Sequence, residues 1–129
     1  MLDIALLPGE YAVCRLAADA ALPAELSNGL GRADVVTVSW TADGISVICP
    51  ADRVPERAVV ETAWRCLRVA GPADLPSTGT LAALVDPLAE ARVSVVTFST
   101  FDTDYVLVPA VRLGEGRAAL ERAGHRVLG

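Results

Sequence analysis

Three segments of the first half of this chain return in the second half, in the same order. YAVCRL, beginning at Tyr11, resembles AWRCLR, beginning at Ala63, 52 positions on. VVTVS from Val35 matches VVTFS from Val95, 60 positions on, and PADRVPE from Pro50 matches PAVRLGE from Pro109, 59 positions on. Each match is weak alone, but three in one order imply a duplicated supersecondary unit. That confines the chain to two small halves of one architecture, residues 1–62 and 63–129. The step from 52 to 60 means that the second half carries the longer insert after its first strand.

The second half reads as β-α-β-β-α-β. A strand over 63–69 ends at Gly71 and Pro72, a strong breaker pair. The next segment, 77–91, has Leu81, Leu84, Val85 and Leu88 at i, i+3, i+4 and i+7, one apolar stripe of a helix. Ser77 or Thr78 is expected to supply the N-cap oxygen. Pro87 falls inside this helix, where it removes a hydrogen bond and crowds the carbonyl of Ala83. The stripe runs past it, so a kink is expected rather than an end. Strands follow over 93–100 and 104–108. The last helix, over 112–123, turns Leu113, Leu120 and Ala123 inward and stops at Gly124, before a short strand over 125–128. Gly114 and Gly116 weaken that helix by up to about 1 kcal/mol each relative to Ala.

The first half keeps the strands and loses much of the helix. Runs at 35–40 and 45–49 flank TADG at 41–44, a clear hairpin signal. Asn28, Gly29 and Gly31 leave room only for a short helical piece near 23–26, and 50–57 allows about two turns. The runs 93–96 and 105–108 are apolar at nearly every position, which implies burial on both faces, by helices on one side and a partner on the other.

Composition removes several function classes. Of 129 residues, 53% are hydrophobic and 21% charged, a globular profile without a disordered tail. No apolar run approaches the roughly 18 residues a membrane span needs. The start lacks a basic region and Asp3 interrupts its apolar stretch, so a secretory leader is not expected and a cytoplasmic location is. The net charge of −5, with eleven scattered arginines and no lysine, argues against a nucleic-acid partner. Cys14, Cys49 and Cys66 are odd in number and far apart, and read as buried, reduced thiols rather than metal ligands or nucleophiles. Trp40 and Trp64 read as core or half-interface anchors. His125, the single histidine, reads as a surface or strand-edge residue with no serine or cysteine motif to serve as general base.

The segments WRCLRVAGP from Trp64, STG from Ser77, PLAEA from Pro87 and, above all, STFDTDYVLV from Ser99 resemble the ACT-domain family of small-molecule-binding regulatory modules. LPGEYAVC from Leu7 and ISVICP from Ile45 fit the same pattern, so the resemblance covers nearly the whole chain. It is closest to small stand-alone proteins made of two ACT-like halves, similar in their second half to the repeats of CASTOR-type arginine sensors. The resemblance implies an α+β fold of two ferredoxin-like halves, with antiparallel sheets, helices on one face and reduced helices in the first half. It also implies an amino-acid-binding or interaction module that usually works as a homodimer. Arg92 departs from the family, which often ends this helix with Gly, so a looser turn is expected there.

A free amino acid needs donors for its carboxylate and acceptors for its ammonium. The helix start at Ser77, Thr78 and Gly79 offers unpaired N–H groups at the positive end of a dipole, and Gly79 admits a close approach. The alternative is ordinary capping. Asp102 and Asp104, at the elbow between the two apolar strands, are acceptors for an ammonium or a guanidinium. The alternative is turn chemistry. Backbone groups of Thr100 and Phe101 and the Phe101 ring are candidate pocket walls, with Phe101 equally a candidate core residue. The pair of acids lacks a third carboxylate nearby, so no metal is expected. No cofactor and no catalytic residue is expected either. The leading expectation is a regulatory protein that senses an amino acid at an interface between ACT-like halves or subunits. The alternative is a ligand-free dimerisation or partner-docking module.

Overall fold

The computed structural model describes residues 1–71 and 78–129. Its strands are β1 (Asp3–Leu6), β2 (Tyr11–Leu16), β3 (Thr37–Thr41), β4 (Gly44–Pro50), β5 (Val59–Gly71), β6 (Val96–Ser99), β7 (Asp104–Pro109) and β8 (Arg126–Leu128). The helices are α1 (Thr80–Glu90) and α2 (Leu113–Arg122), with single 3-10 turns at Ala24–Leu26, Ala51–Arg53 and Ala110–Arg112. The chain divides into two compact units, Met1–Leu7 with Trp64–Gly129 and, separately, Pro8–Ala63. The halves 1–62 and 63–129 differ from this mainly at the start of the chain, where Met1–Leu7 belongs to the C-terminal unit.

The C-terminal unit orders its strands β6-β7-β5-β1-β8. Strand β1 pairs antiparallel with β5, Leu6 opposite Leu67, and parallel with β8, Ile4 opposite Val127. It stands between β5 and β8, and nothing in its four residues announces partners more than sixty positions away. Alternation sets the faces: Leu67, Val69, Val106 and Val108 pack against Leu84 and Leu88 of α1 and Leu120 of α2. Both helices thus cover one face of the sheet, which is antiparallel as expected except where β1 meets β8 in parallel.

Of the expected stripe on α1, Leu84 and Leu88 are fully buried, whereas Leu81 is exposed. The helix continues through Pro87. The Ala83 carbonyl, which Pro87 cannot satisfy, receives the Nε2 of His125 at 2.8 Å, and the Nδ1 of His125 accepts the Leu2 N–H at 3.0 Å. A carbonyl can only accept and an amide N–H only donate, so the ring is the neutral tautomer with its proton on Nε2. His125 is therefore a buried tie between the N-terminus, α1 and β8, and not the expected surface residue.

Both helices end in Schellman turns. At α2, Gly124 lies at φ 96 and the amides of Gly124 and His125 donate to the carbonyls of Glu121 and Leu120. At α1 the same position is Arg92, at φ 59, and the amides of Arg92 and Val93 donate to Ala89 and Leu88. The turn is thus no looser for lacking glycine, and the arginine carries the left-handed strain instead. Ala123 caps α2 on the surface and does not turn inward. Gly116 is buried, and a Cβ there would meet Leu88 at 3.4 Å, so the small residue sets the close approach of α2 to α1.

The N-terminal unit orders its strands β3-β4-β2-β5, the sequence seen in the other unit as β6-β7-β5 before β1 intervenes. The hairpin is present, with Thr41 opposite Gly44. Helices are not: one 3-10 turn stands in each helix position, and the second is shorter than the two turns expected. Leu26, with partly buried Ala20 and Leu22, covers Cys14, Ile45, Val47 and Cys49 instead. Arg53 holds this cover in place by donating to the carbonyls of Glu25, Asn28 and Gly29 at 2.6–2.8 Å. Arg112, its match in the sequence, reaches the carbonyls of Ala91 and Arg92 at the end of α1 at 3.4–3.5 Å. Trp40 is 67% exposed, so the expected core role is corrected. Trp64 is half-buried.

Candidate functional site

The carboxylate elbow is a built turn. β6 and β7 pair from Val96 opposite Leu107 to Ser99 opposite Asp104, leaving residues 100–103 as the loop. The Thr100 amide donates to the Thr103 carbonyl at 2.9 Å, and the Thr103 hydroxyl donates to the Val69 carbonyl at 2.6 Å. The loop is therefore fastened to the end of β5. The Ser99 hydroxyl donates to Asp104 Oδ1 at 2.5 Å, and Oδ2 has no hydrogen-bond partner among the described residues. Ser99 and Thr103 were not among the expected site residues; their signal was present in the hydroxyls that flank the acids in STFDTDY.

Side-chain alternation places Asp104 on the helix-bearing face, two residues before Val106. Asp102 is exposed in the loop, and Thr100 is exposed beside it. Phe101 is fully exposed, which removes the core reading and leaves its ring unburied at the tip.

Helix α1 begins at the same end of the sheet. β5 runs antiparallel to β7, with Arg68 opposite Tyr105, so the end of β5 and the start of β7 share one edge; the first turn of α1 reaches that edge through His125, which joins the Ala83 carbonyl to Leu2 beside the Asp3–Gly71 pair. The first intrahelical bond runs from the Ala83 amide to the Gly79 carbonyl at 2.9 Å. The amides of Thr80, Leu81 and Ala82 consequently have no helical acceptor. The N-cap is Gly79, without any side-chain cap bond, and Thr78 lies in the preceding turn; the expectation of a hydroxyl cap from Thr78 is corrected, and Ser77 lies outside the described residues. Gly79 stands at φ 86, a left-handed conformation that favours glycine whatever its surroundings, and a Cβ there would meet nothing within 4 Å. Exposed Leu81 flanks these amides.

The structure therefore gathers Ser99, Thr100, Phe101, Asp102, Thr103 and Asp104 into one elbow and sets Thr78 and Gly79 at the same end of the sheet. Chemically, the end offers amide donors with dipole assistance at the start of α1 and carboxylate acceptors at the elbow. Burial raises the Cys14 thiol, and pushes Cys49 and Cys66 up to about 12. All three are free and buried. No helix among the described residues is long and apolar enough to cross a membrane.

Residues 59–122 match a family model described as an ACT domain, and residues 9–57 match a second model described as an N-terminal domain. No curated protein sequence matches the chain. Among solved structures, a protein of Agobacterium tumefaciens is 31% identical, with a TM-score of 0.88 over 98% of this chain and 92% of that one. A Vibrio cholerae protein described as a possible transport protein shares 18% identity, with a TM-score of 0.74 over 95% and 89% of the two chains. The ligand-free regulatory subunit of aspartate kinase from Thermus thermophilus shares 12% identity and the fold, with a TM-score of 0.62 over 93% and 95%.

Proposed function

The chain belongs to the ACT-domain family, and on that premise we propose that it is a small regulatory protein that binds a free amino acid non-covalently and carries out no chemistry of its own. The observation that supports this reading is the pairing of opposite chemistries at one end of the C-terminal sheet. The amides of Thr80, Leu81 and Ala82 take the ligand carboxylate, and Asp104, steadied by Ser99, takes the ammonium with Asp102 alongside. A second subunit completes the site, in keeping with the exposed ring of Phe101. Arginine is the side chain that the sensor resemblance suggests, and a small aliphatic amino acid satisfies the same two end groups. Regulation then follows from differential affinity, since a ligand that binds two packings of the protein equally shifts neither.

A thermal-shift panel of the common amino acids tests the reading. At a hundredfold excess over its dissociation constant, a true ligand adds about 2.7 kcal/mol of stability. Asp104→Ala abolishes the response and leaves the unliganded melting temperature nearly unchanged. A flat panel at millimolar concentrations contradicts the proposal. The fully exposed Phe101 beside an acidic loop also favours a second reading, a ligand-free docking module; under it the panel is flat and Phe101→Ala weakens association.

A further inference from the structure

We propose that Cys14 and Cys49 form a two-coordinate site for a soft monovalent cation, copper(I), inside the N-terminal unit. The inference is independent of the amino-acid reading. The two cysteines are far apart in the sequence, but strand pairing brings them together. Cys14 stands opposite Val47 and Cys49 opposite Ala12, so the two are diagonal neighbours on β2 and β4. Both side chains lie in one buried cluster, on the face that Leu26 covers. Their thiols share a hydrogen bond, and neither is in a disulfide. Cys66 belongs to the other unit and is buried without a second thiol beside it.

The register decides what two such thiols can do. Diagonal neighbours on antiparallel strands have Cα atoms about 7–8 Å apart. A disulfide needs them within about 7 Å, so a direct bond between the sulfurs is disfavoured and a bridging atom is not. Thiolates select soft ions, and copper(I) is satisfied by two sulfurs in line. Zinc asks for four ligands. The rest of the cluster, Ala12, Leu16, Leu26, Ile45 and Val47, donates nothing. Among the described residues no group of three or more His, Cys, Asp or Glu side chains is placed to hold a metal. The pair therefore suits an ion content with two ligands.

Loading exchanges both thiol protons for one copper(I), which leaves the complex with a single negative charge. The charged groups that act on Cys49 are Asp52, which opposes its thiolate, and Arg53, which favours it. Arg53 is thus the countercharge of the loaded site. It also fastens the cover, through the carbonyls of Glu25, Asn28 and Gly29. An ion enters when that cover lifts, a local opening that leaves the strands paired.

Anaerobic titration of the reduced protein with copper(I), in competition with the chelator bicinchoninate, tests the site. The wild type and Cys66→Ser each take one copper(I) per chain. Cys14→Ser and Cys49→Ser each weaken binding by at least about a hundredfold, with circular dichroism showing that the fold persists. X-ray absorption of the loaded wild type, which needs no variant to fold, shows copper with two sulfur neighbours. Oxidised glutathione leaves Cys14 and Cys49 as thiols by mass spectrometry. A wild type that takes no copper(I) overturns the proposal, as does copper(I) retained at full affinity in Cys14→Ser or Cys49→Ser. A third ligand atom on the copper, or a Cys14–Cys49 disulfide formed with glutathione, overturns it as well.

Discussion

The two units of this molecule share a strand order and differ in what covers the sheet. The C-terminal unit lays α1 and α2 over Leu67, Val69, Val106 and Val108. The N-terminal unit covers Cys14, Ile45, Val47 and Cys49 with a loop, one 3-10 turn and Leu26. The difference teaches that strand order depends on hairpin chemistry and alternation, not on helices. What a sheet requires is apolar cover whose own polar backbone is satisfied. In α1 the helix supplies its own hydrogen bonds. In the loop they come from its own turns, such as Leu26 to Pro23 and Asn28 to Ala24, and from one guanidinium, Arg53.

The largest expected effects probe whether the two covers are equivalent. Leu88→Ala under α1 and Leu26→Ala under the loop each remove a buried leucine and each cost about 2–5 kcal/mol, measured by chemical denaturation. A cost below about 1 kcal/mol at Leu26 alone breaks the comparison, since the loop would then be draped over the sheet and not packed on it. Next comes the tie particular to the C-terminal unit. His125→Ala strands the Leu2 amide and the Ala83 carbonyl, a loss of about 2–3 kcal/mol. In a Pro87→Ala background the restored amide serves Ala83, so a double-mutant cycle shows a smaller His125→Ala cost there.

Smaller effects sharpen the role of the paired arginines. Arg53→Ala costs about 1–2 kcal/mol, because three short bonds to loop carbonyls are lost. Arg112→Ala costs less than about 1 kcal/mol, because its bonds to α1 carbonyls are long and that helix stands without them. Equal costs for the two contradict the view that the loop depends on its arginine. The smallest effect has the opposite sign: Arg92→Gly relieves a left-handed arginine and raises stability by about 0.5–1 kcal/mol.

The parts of this architecture legible in the sequence are those written locally. TADG at 41–44 marks the hairpin, Gly124 marks the end of α2, and the spacing of Leu84 and Leu88 marks the buried face of α1. Pro87 announced the orphaned Ala83 carbonyl, but not that His125, 42 positions away, would satisfy it. The placement of β1 between β5 and β8 was illegible for the same reason, since DIAL carries no mark of partners at Leu67 and Val127. Trp40 was misjudged because its size argues for burial, while its position on an edge strand, a property of the whole sheet, decides its exposure. At the candidate site the acids and the elbow were readable from STFDTDY. The cap was not: Gly79 is selected by its φ and replaces the expected hydroxyl.

The proposed function assigns ligand recognition to the α1 start and the acidic elbow of the C-terminal unit, with no counterpart in the helix-poor unit. Titrating the isotope-labelled protein with the best amino acid from the thermal-shift panel and following its amide resonances tests this most directly. The predicted result is saturable shifts concentrated at residues 79–82 and 99–104, with the resonances of 8–63 unmoved. Shifts concentrated within 8–63, or none at saturating ligand, would contradict it.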